Sequence, residues 1–310
     1  MSRMAKIFAA FVTAVTLTVP LYGATIFWQD EGLQAIVRAN ANGTNPQTIV
    51  SVAEPGTGLA ADFVNGKVYW TTVGGALIQR SNFNGSNVET LLSTGLVTPL
   101  GITLDVVNGK MYWADQGNST ISRADLNGTN VEPLVTSGIV HPHDIGLDIG
   151  GGKMYWTDSV SNKIQRSNLN GSDVEDLITL STTPGNPSPR GLAVDTVNDK
   201  IYWASQGAGK IQRSDLNGSN LEDIVHVPGW NGPDGIALDV GAGKLYWTGL
   251  NEVLKIQRSN LNGTNIEDLV TSGLDIPRGI DVGTIPEPTS LALLIIGMLI
   301  FAIRRPNNLI

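Results

Sequence analysis

The residues best suited to chemistry lie in one short stretch, where His141 and His143 flank Pro142 and stand before Asp144. Imidazole and carboxylate groups are common metal ligands and proton carriers. Four neighbouring residues of one loop cannot form a closed tetrahedral site alone, and the chain has no cysteine and no EF-hand series. We therefore predict no metal and no cofactor, and we look for the elements that would position this stretch.

A repeated aromatic–tryptophan unit organises the chain. The tryptophans of this unit recur every 42 to 47 residues, a spacing typical of repeat architectures. The six are Trp28, Trp70, Trp113, Trp156, Trp203 and Trp247. Because the same residue occurs in every repeat, we predict that each tryptophan fills an equivalent structural position.

Each repeat between residues 24 and 283 divides into four short segments. The last full repeat shows them as Gly235–Asp239, Leu245–Gly249, Ile256–Ser259 and Glu267–Val270. Such segments alternate polar and apolar residues between turn dipeptides, a pattern that predicts strands. The repeated Asn-Gly pairs predict type I′ hairpin turns. Four antiparallel strands in each of six repeats predict an all-β, six-bladed propeller.

The two ends of the repeat region predict how the ring closes. The first repeat starts at its second segment, Thr25–Asp30, and an unmatched first segment, Arg278–Gly283, follows the last repeat. Together they complete one blade. A ring closed by shared N- and C-terminal strands leaves no free sheet edge at the seam.

Arginine and aspartate also recur in the repeats. One arginine stands in each third segment, and we expect it to bind a carboxylate of the neighbouring blade; the six are Arg38, Arg80, Arg123, Arg166, Arg213 and Arg258. Three motif copies end in aspartate, which we expect to join blade to blade because a buried carboxylate must be paired. Residues repeated around a ring do not give the asymmetric constellation that catalysis needs.

The repeats differ just before each first strand, at positions that should surround the mouth of the central channel. Aligned on the aspartate of that strand, the six positions are Thr57, Leu100, His143, Arg190, Asp234 and Arg278. A longer insertion before Asp234 adds Trp230, and an exposed tryptophan beside polar residues is a common interface anchor. We predict that these seven residues bind a ligand, the alternative being a solvated rim.

Composition and the chain ends bear on location. The net charge of −8 argues against nucleic-acid binding, which needs basic surfaces. Residues 1–23 have a positive start and an apolar run, as in an export signal. Residues 284–310 contain the apolar run Leu291–Ile303 followed by Arg304 and Arg305, which predicts a membrane segment with the repeats outside.

The six Tyr-Trp-Thr-Asp-like units resemble the YWTD, or class B, repeats of low-density-lipoprotein receptors. This resemblance implies a six-bladed propeller that binds protein partners. The motif's last aspartate is replaced by Thr72, Ser205 and Gly249 in three copies, and the receptor's cysteine-rich modules are absent, so endocytic function does not carry over.

The C-terminal segment resembles the PEP-CTERM sorting signal of Gram-negative bacteria. The matching parts are Pro286-Glu287-Pro288, the apolar run and the arginine pair. The resemblance implies recognition and processing by an exosortase and a mature protein ending near Pro288.

Three functional hypotheses follow. The favoured one is an exported, cell-surface or matrix-associated module without enzymatic activity that binds a protein or polysaccharide through the mouth. The second is a lactonase- or lyase-like propeller enzyme with a channel metal or histidine, in which His143 and Asp144 would act. The third is a structural matrix protein.

Overall fold

The computed structural model describes residues 23–182, 185–227, 232–250 and 254–285. These residues form 24 strands in six sheets of four antiparallel strands each. The innermost strands of successive sheets contact one another around a closed ring. The expected all-β, six-bladed propeller is therefore confirmed.

The first three blades are built as follows. Blade 1 combines β1 (Ala24–Asp30), β2 (Ala35–Asn40) and β3 (Gln47–Ser51) with β24 (Pro277–Thr284). Blade 2 contains β4 (Leu59–Asp62), β5 (Lys67–Thr72), β6 (Leu77–Asn82) and β7 (Glu89–Leu92). Blade 3 contains β8 (Pro99–Asp105), β9 (Lys110–Asp115), β10 (Thr120–Asp125) and β11 (Glu132–Val135).

The other three blades repeat this plan. Blade 4 contains β12 (Pro142–Asp148), β13 (Lys153–Asp158), β14 (Lys163–Asn168) and β15 (Glu175–Thr179). Blade 5 contains β16 (Pro189–Asp195), β17 (Lys200–Ser205), a short 3-10 helix (Gln206–Ala208), β18 (Lys210–Asp215) and β19 (Glu222–His226). Blade 6 contains β20 (Pro233–Asp239), β21 (Lys244–Gly249), β22 (Lys255–Asn260) and β23 (Glu267–Val270).

The predicted closure is confirmed in blade 1. Strand β24 pairs antiparallel with β1, with Ala24 opposite Thr284 and Trp28 opposite Ile280. The sheet order is β24-β1-β2-β3, so the last strand of the chain supplies the innermost strand of the first blade. Ladder hydrogen bonds between these two strands close the ring, and this explains how a chain without disulfides can form a closed propeller.

The aromatic–tryptophan unit forms the cores between blades. Successive side chains of a strand point to opposite faces of its sheet, so the aromatic residue and the tryptophan of one unit enter different cores. Tyr112 of blade 3 shares a core with Trp156 of blade 4, and Tyr155 of blade 4 shares the next with Trp203 of blade 5. At the seam, Tyr246 shares a core with Trp28. All six tryptophans are at most 2% exposed.

The repeated arginines correct the sequence expectation. Arg213 binds Glu222 of its own blade, not a carboxylate of the next one, with Nη2 2.9 Å from Oε2. Its contact with the next blade is to a main-chain oxygen, since Nη1 donates to Leu261 O at 3.0 Å. The preceding blades do the same, as in the bond from Arg80 Nη1 to Leu126 O at 3.0 Å. In blades 2 to 6 the carboxylate that binds the arginine comes from the adjacent fourth strand because cross-strand partners are the nearest groups. In blade 1 Arg38 lies opposite Gln47 instead.

The motif aspartates hold the segments that connect the blades. Asp158 accepts hydrogen bonds from the N–H groups of Val140 and His141, on the connection arriving from blade 3. Asp115 binds Val97 and Thr98 on the connection from blade 2 in the same way. These carboxylates therefore fix the start of the innermost strand and, with it, the residues at the channel mouth.

Two faces of the disc result from the strand directions. The mouth face carries the starts of the innermost strands. The opposite face, which we name the turn face, carries the hairpins after each first and third strand. The Asn-Gly pairs lie there, but they do not form type I′ turns. Gly43 N–H bonds Asn40 O, and of Asn42 and Gly43 only the glycine has positive φ. The loop is therefore a type I turn followed by a left-handed glycine.

Candidate functional site

Each blade contributes one predicted ring residue to the mouth. Thr57 precedes β4, and the other five lie at the second position of the innermost strands β8, β12, β16, β20 and β24. In blades 3 to 6 the strand register shifts at this point, as between Pro142 and Ile145. A bulge redirects the side chains of the extra residues, and here the bulged residues are those at the channel mouth.

Four of the six ring residues form one polar network across blades 4, 5, 6 and 1. Arg190 Nη1 lies 3.4 Å from His143 Nε2 and 3.3 Å from Asp234 Oδ1. Arg278 Nη1 lies 3.5 Å from Asp234 Oδ2 on the other side. Asp234 is 2% exposed, so a buried carboxylate is shared by two arginines at distances longer than those of a close ion pair.

Thr57 and Leu100 lie outside this network. Leu100 is buried, and its main-chain oxygen accepts a hydrogen bond from Thr71 Oγ1 at 2.8 Å. Thr57 Oγ1 is buried without a protein partner. Trp230, the seventh predicted residue, lies outside the described residues, and its role stays a prediction.

Buried polar atoms without hydrogen-bond partners are concentrated at the mouth. In the described part of the chain, six buried side-chain polar atoms have no hydrogen-bond partner, and three of these belong to ring residues. The three are Thr57 Oγ1, His143 Nδ1 and Arg190 Nε. Such atoms are uncommon in folded proteins and call for a specific explanation.

His143 is neutral near physiological pH. Burial, helped by the charge of Arg190, lowers the pKa of His143 to about 3. Arg190 can only donate, so His143 Nε2 acts as the acceptor, and the proton of the neutral ring is assigned to Nδ1. The unused Nδ1 is therefore a donor, as is the unused Nε of Arg190. The mouth therefore holds two N–H groups and one hydroxyl that have no hydrogen-bond partner among the described residues.

A ring of glycines narrows the channel beneath the mouth. A Cβ atom at Gly279 would lie 2.2 Å from Thr57 O, and one at Gly235 would lie 2.4 Å from Arg278 O. Only glycine allows the neighbouring main chains to approach this closely. A cavity of about 20 Å³ remains between them, lined by Thr57, His143 and Asp234 among others. This volume suits a single water or one ligand atom.

Asp144 replaces glycine in that ring. Its carboxylate accepts the N–H of Ile145 at 2.9 Å and that of Leu192 in the next blade at 2.8 Å. Asp281 lies in blade 1, on the opposite side of the propeller and two residues after Gly279. Its carboxylate accepts hydrogen bonds from the N–H groups of Val282 and of Ala61 in the next blade. Burial raises the pKa of Asp144 to about 7 and that of Asp281 to about 6.

Both carboxylates line a larger cavity of about 270 Å³, otherwise formed mainly by apolar residues of the innermost strands. The enzyme hypothesis placed His143 and Asp144 together. In the described structure no hydrogen bond joins them, because Asp144 binds main-chain N–H groups and His143 faces Arg190. Within the same residues, no group of three or more metal-binding side chains occurs.

Sequence reasoning missed two members of the mouth network. Glu31 Oε2 accepts from Arg278 Nε at 2.7 Å, and Gln206 Nε2 donates to Asp234 Oδ1 at 3.3 Å. Both stand three residues after a motif tryptophan, Trp28 and Trp203. Aligning that second variable position would have identified them. Asp281 was also missed, although other repeats have small or apolar residues at its position.

The comparisons with known proteins agree with this geometry. The family profile described as "Low-density lipoprotein receptor repeat class B" matches residues 66–106, 109–149 and 152–196. The match to class B repeats covers these three segments. These lie in blades 2 to 5, and propellers of class B repeats are typically protein-binding modules. No curated protein matches the sequence.

Two solved structures have the same fold as this chain. A chain in the crystal structure of a nidogen/laminin complex is 23% identical with a TM-score of 0.75, covering 85% of this chain and 99% of its own length. TolB from Acinetobacter baumannii is 14% identical with a TM-score of 0.68, covering 84% of this chain and 67% of its own. At these identities the likeness shows the fold alone.

The predicted terminal signals fall almost wholly outside the described residues. The export signal of residues 1–23 and the sorting signal of residues 284–310 therefore stay predictions. None of the helical segments in the described part of the chain has the length and apolar character needed to cross a membrane.

Proposed function

We propose that this protein is an exported class B propeller that binds a protein ligand through its channel mouth, with a polysaccharide as the alternative ligand. The observation that carries the proposal is the polar network of His143, Arg190, Asp234 and Arg278 on a scaffold that otherwise repeats its contacts. Two buried N–H groups and a hydroxyl without protein partners at this mouth support a ligand that supplies acceptor oxygens.

Three features support a protein ligand. Class B propellers are typically protein-binding modules, and the nidogen/laminin crystal structure contains a similar propeller together with a protein. The narrowing glycine ring leaves little room for a substrate within the mouth. His143, being neutral and buried, suits a hydrogen-bonding role at an interface.

A pull-down with the full chain tests the proposal. Arg278→Ala is expected to remove the captured ligand, because a mouth donor and its charge are lost. Lys163→Ala is the control: its ammonium pairs with Asp176 at 2.6 Å near the outer edge of the same face. Equal capture by both variants would contradict the mouth as the binding surface, and capture only on a glycan array would favour the polysaccharide.

Export and anchoring are part of the same proposal. The composition of residues 1–23 supports export, and the resemblance of residues 284–310 to a PEP-CTERM signal supports processing by an exosortase and placement at the cell surface or in the matrix. Fractionation of cells expressing the full chain, with a variant lacking residues 286–310 as control, tests this. Recovery of both proteins in the cytoplasm would contradict export.

A further inference from the structure

Exposed apolar side chains are distributed unevenly between the two faces of the disc. Of thirteen large apolar residues that are exposed in the described part of the chain, nine lie on loops of the turn face. They are Val64, Val88, Val107, Val131, Ile149, Val174, Val197, Leu221 and Ile266. The turn face is therefore the more apolar of the two.

The most exposed of these residues surround the lower opening of the channel. Val107 is 92% exposed, Val197 76% and Val64 73%, and each lies in the hairpin after an innermost strand. Burying such a side chain against an apolar phase is favourable because it removes apolar surface from water. Among the described residues, no packing contact explains the apolar side chains at the tips of these turns.

Both termini of the described propeller also lie on the turn face. Ala24 begins β1 there and pairs with Thr284, which ends β24. In the sequence, residues 1–22 precede the first of these ends and residues 286–310 follow the second. The second of these segments contains the apolar run Leu291–Ile303.

We propose that the turn face lies on a lipid bilayer, with the turn-tip valines in contact with the lipid and the channel mouth directed away from it. The occupant is lipid, not protein, because the exposed side chains are spread over the tips of separate hairpins around the disc. A bilayer surface can take up dispersed apolar tips, whereas a protein partner needs a contiguous packed patch. This orientation applies to the chain before its tail is processed, rests on the proposed anchoring through that tail, and is independent of the mouth ligand.

The chain's lack of cysteine allows a direct test. Val107→Cys on the turn face and Val160→Cys on the mouth face each give a unique labelling site, and Val160 is itself 55% exposed. Each full-length variant is labelled with a fluorophore and reconstituted into phosphatidylcholine vesicles carrying a nitroxide lipid. We expect several-fold stronger quenching at position 107 than at position 160, and flotation of both variants with the vesicles.

Each of the other possible outcomes would refute a different part of the proposal. Flotation with equal quenching at both positions would refute the orientation and leave the attachment standing. Failure to float would refute both. A third outcome is a label at position 107 that is shielded from solvent but not quenched by the nitroxide lipid, in a protein that forms dimers. This result would assign the turn face to a second copy of the chain instead of lipid.

Discussion

The outer strands and the channel mouth both contain pairs of arginine and carboxylate side chains, but the geometry of the pairs differs. In the outer strands an arginine pairs with a glutamate of its own blade at short distance, as in the 2.9 Å contact between Arg213 and Glu222. The same pair occurs in each of blades 2 to 6. At the mouth two arginines share Asp234 at 3.3 and 3.5 Å, and nearby atoms stay unused. The comparison suggests that repeated charges serve the fold, whereas unrepeated charges are available for a ligand.

The largest difference in stability between the mouth and the outer strands is expected when Asp234→Asn is compared with an outer-strand variant. Removing this carboxylate leaves Arg190 and Arg278 without their shared counter-charge, which should lower the free energy of unfolding by about 2–3 kcal/mol after allowing for their partial exposure. Glu222→Gln is the outer-strand counterpart, and its exposed pair should contribute at most about 1 kcal/mol. Urea unfolding measures both values, and equal losses would contradict the distinction.

A second difference concerns backbone packing. Gly279→Ala places a Cβ atom 2.2 Å from Thr57 O, so neighbouring strands must move apart, at a cost of about 1–3 kcal/mol. Gly75→Ala, in an outer hairpin where the closest atom is 3.4 Å away, should leave stability nearly unchanged. Thermal unfolding of the two variants compares them, and a stable Gly279→Ala protein would show that the ring can expand.

Protonation offers a third comparison. Burial raises the pKa of Asp144 from 3.8 to about 7, so the folded state holds this proton more tightly than the unfolded state. The stability from this group is greatest below its unfolded pKa and declines as the pH rises toward 7. Asp144→Asn should reduce that decline by an amount on the order of 1 kcal/mol, since the carboxylate is partly exposed.

Asp215, on an outer strand, serves as the control because its contribution to stability changes with pH in the opposite direction. Hydrogen bonds from Lys200, Asn220 and Ser219 lower its pKa to about 2, so its contribution is present above its ordinary pKa and lost in acid. Unfolding free energies measured from acid to neutral pH compare Asp144→Asn with Asp215→Asn. An unchanged slope in the Asp144 variant would mean that Asp144 is ionised throughout.

The smallest expected effect lies in blade 1, where the repeat is incomplete. In blades 2, 4, 5 and 6 a glutamine accepts the tryptophan N–H, as Gln79 does for Trp70 at 3.2 Å. Val37 occupies that position opposite Trp28, whose Nε1 has no hydrogen-bond partner among the described residues. Val37→Gln should stabilise the protein by about 1 kcal/mol, with Thr48 available to the new amide as Thr90 is to Gln79. Lower stability would contradict equivalence of the blades.

The sequence predicted the features that repeat. The tryptophan spacing gave six blades, and the unmatched segments at the ends gave the closure, because both depend on local strand patterns that occur several times. Alignment also located the ring, including His143, Arg190, Asp234 and Arg278. Repeat alignment could not predict the features that depend on one particular side-chain contact.

Two of these details show the reason. The arginine partner was assigned to the wrong blade, since spacing alone does not distinguish Glu222 on the adjacent strand from a carboxylate across the interface. Asp144 was considered with His143 as a possible chemical pair, whereas the bulge directs it to the N–H of Leu192. Bulges and inter-blade distances arise from packing, which a repeat alignment does not report.

The affinity of Thr57→Val for the protein captured by the wild-type chain tests the central claim most directly. Valine keeps the shape of threonine and removes only the hydroxyl that has no partner within the fold. We expect binding weakened about tenfold, measured by titration calorimetry, with a free energy of unfolding that is unchanged or higher. Unchanged affinity would contradict the mouth as the binding surface, and a clear loss of stability would show that this hydroxyl serves the scaffold.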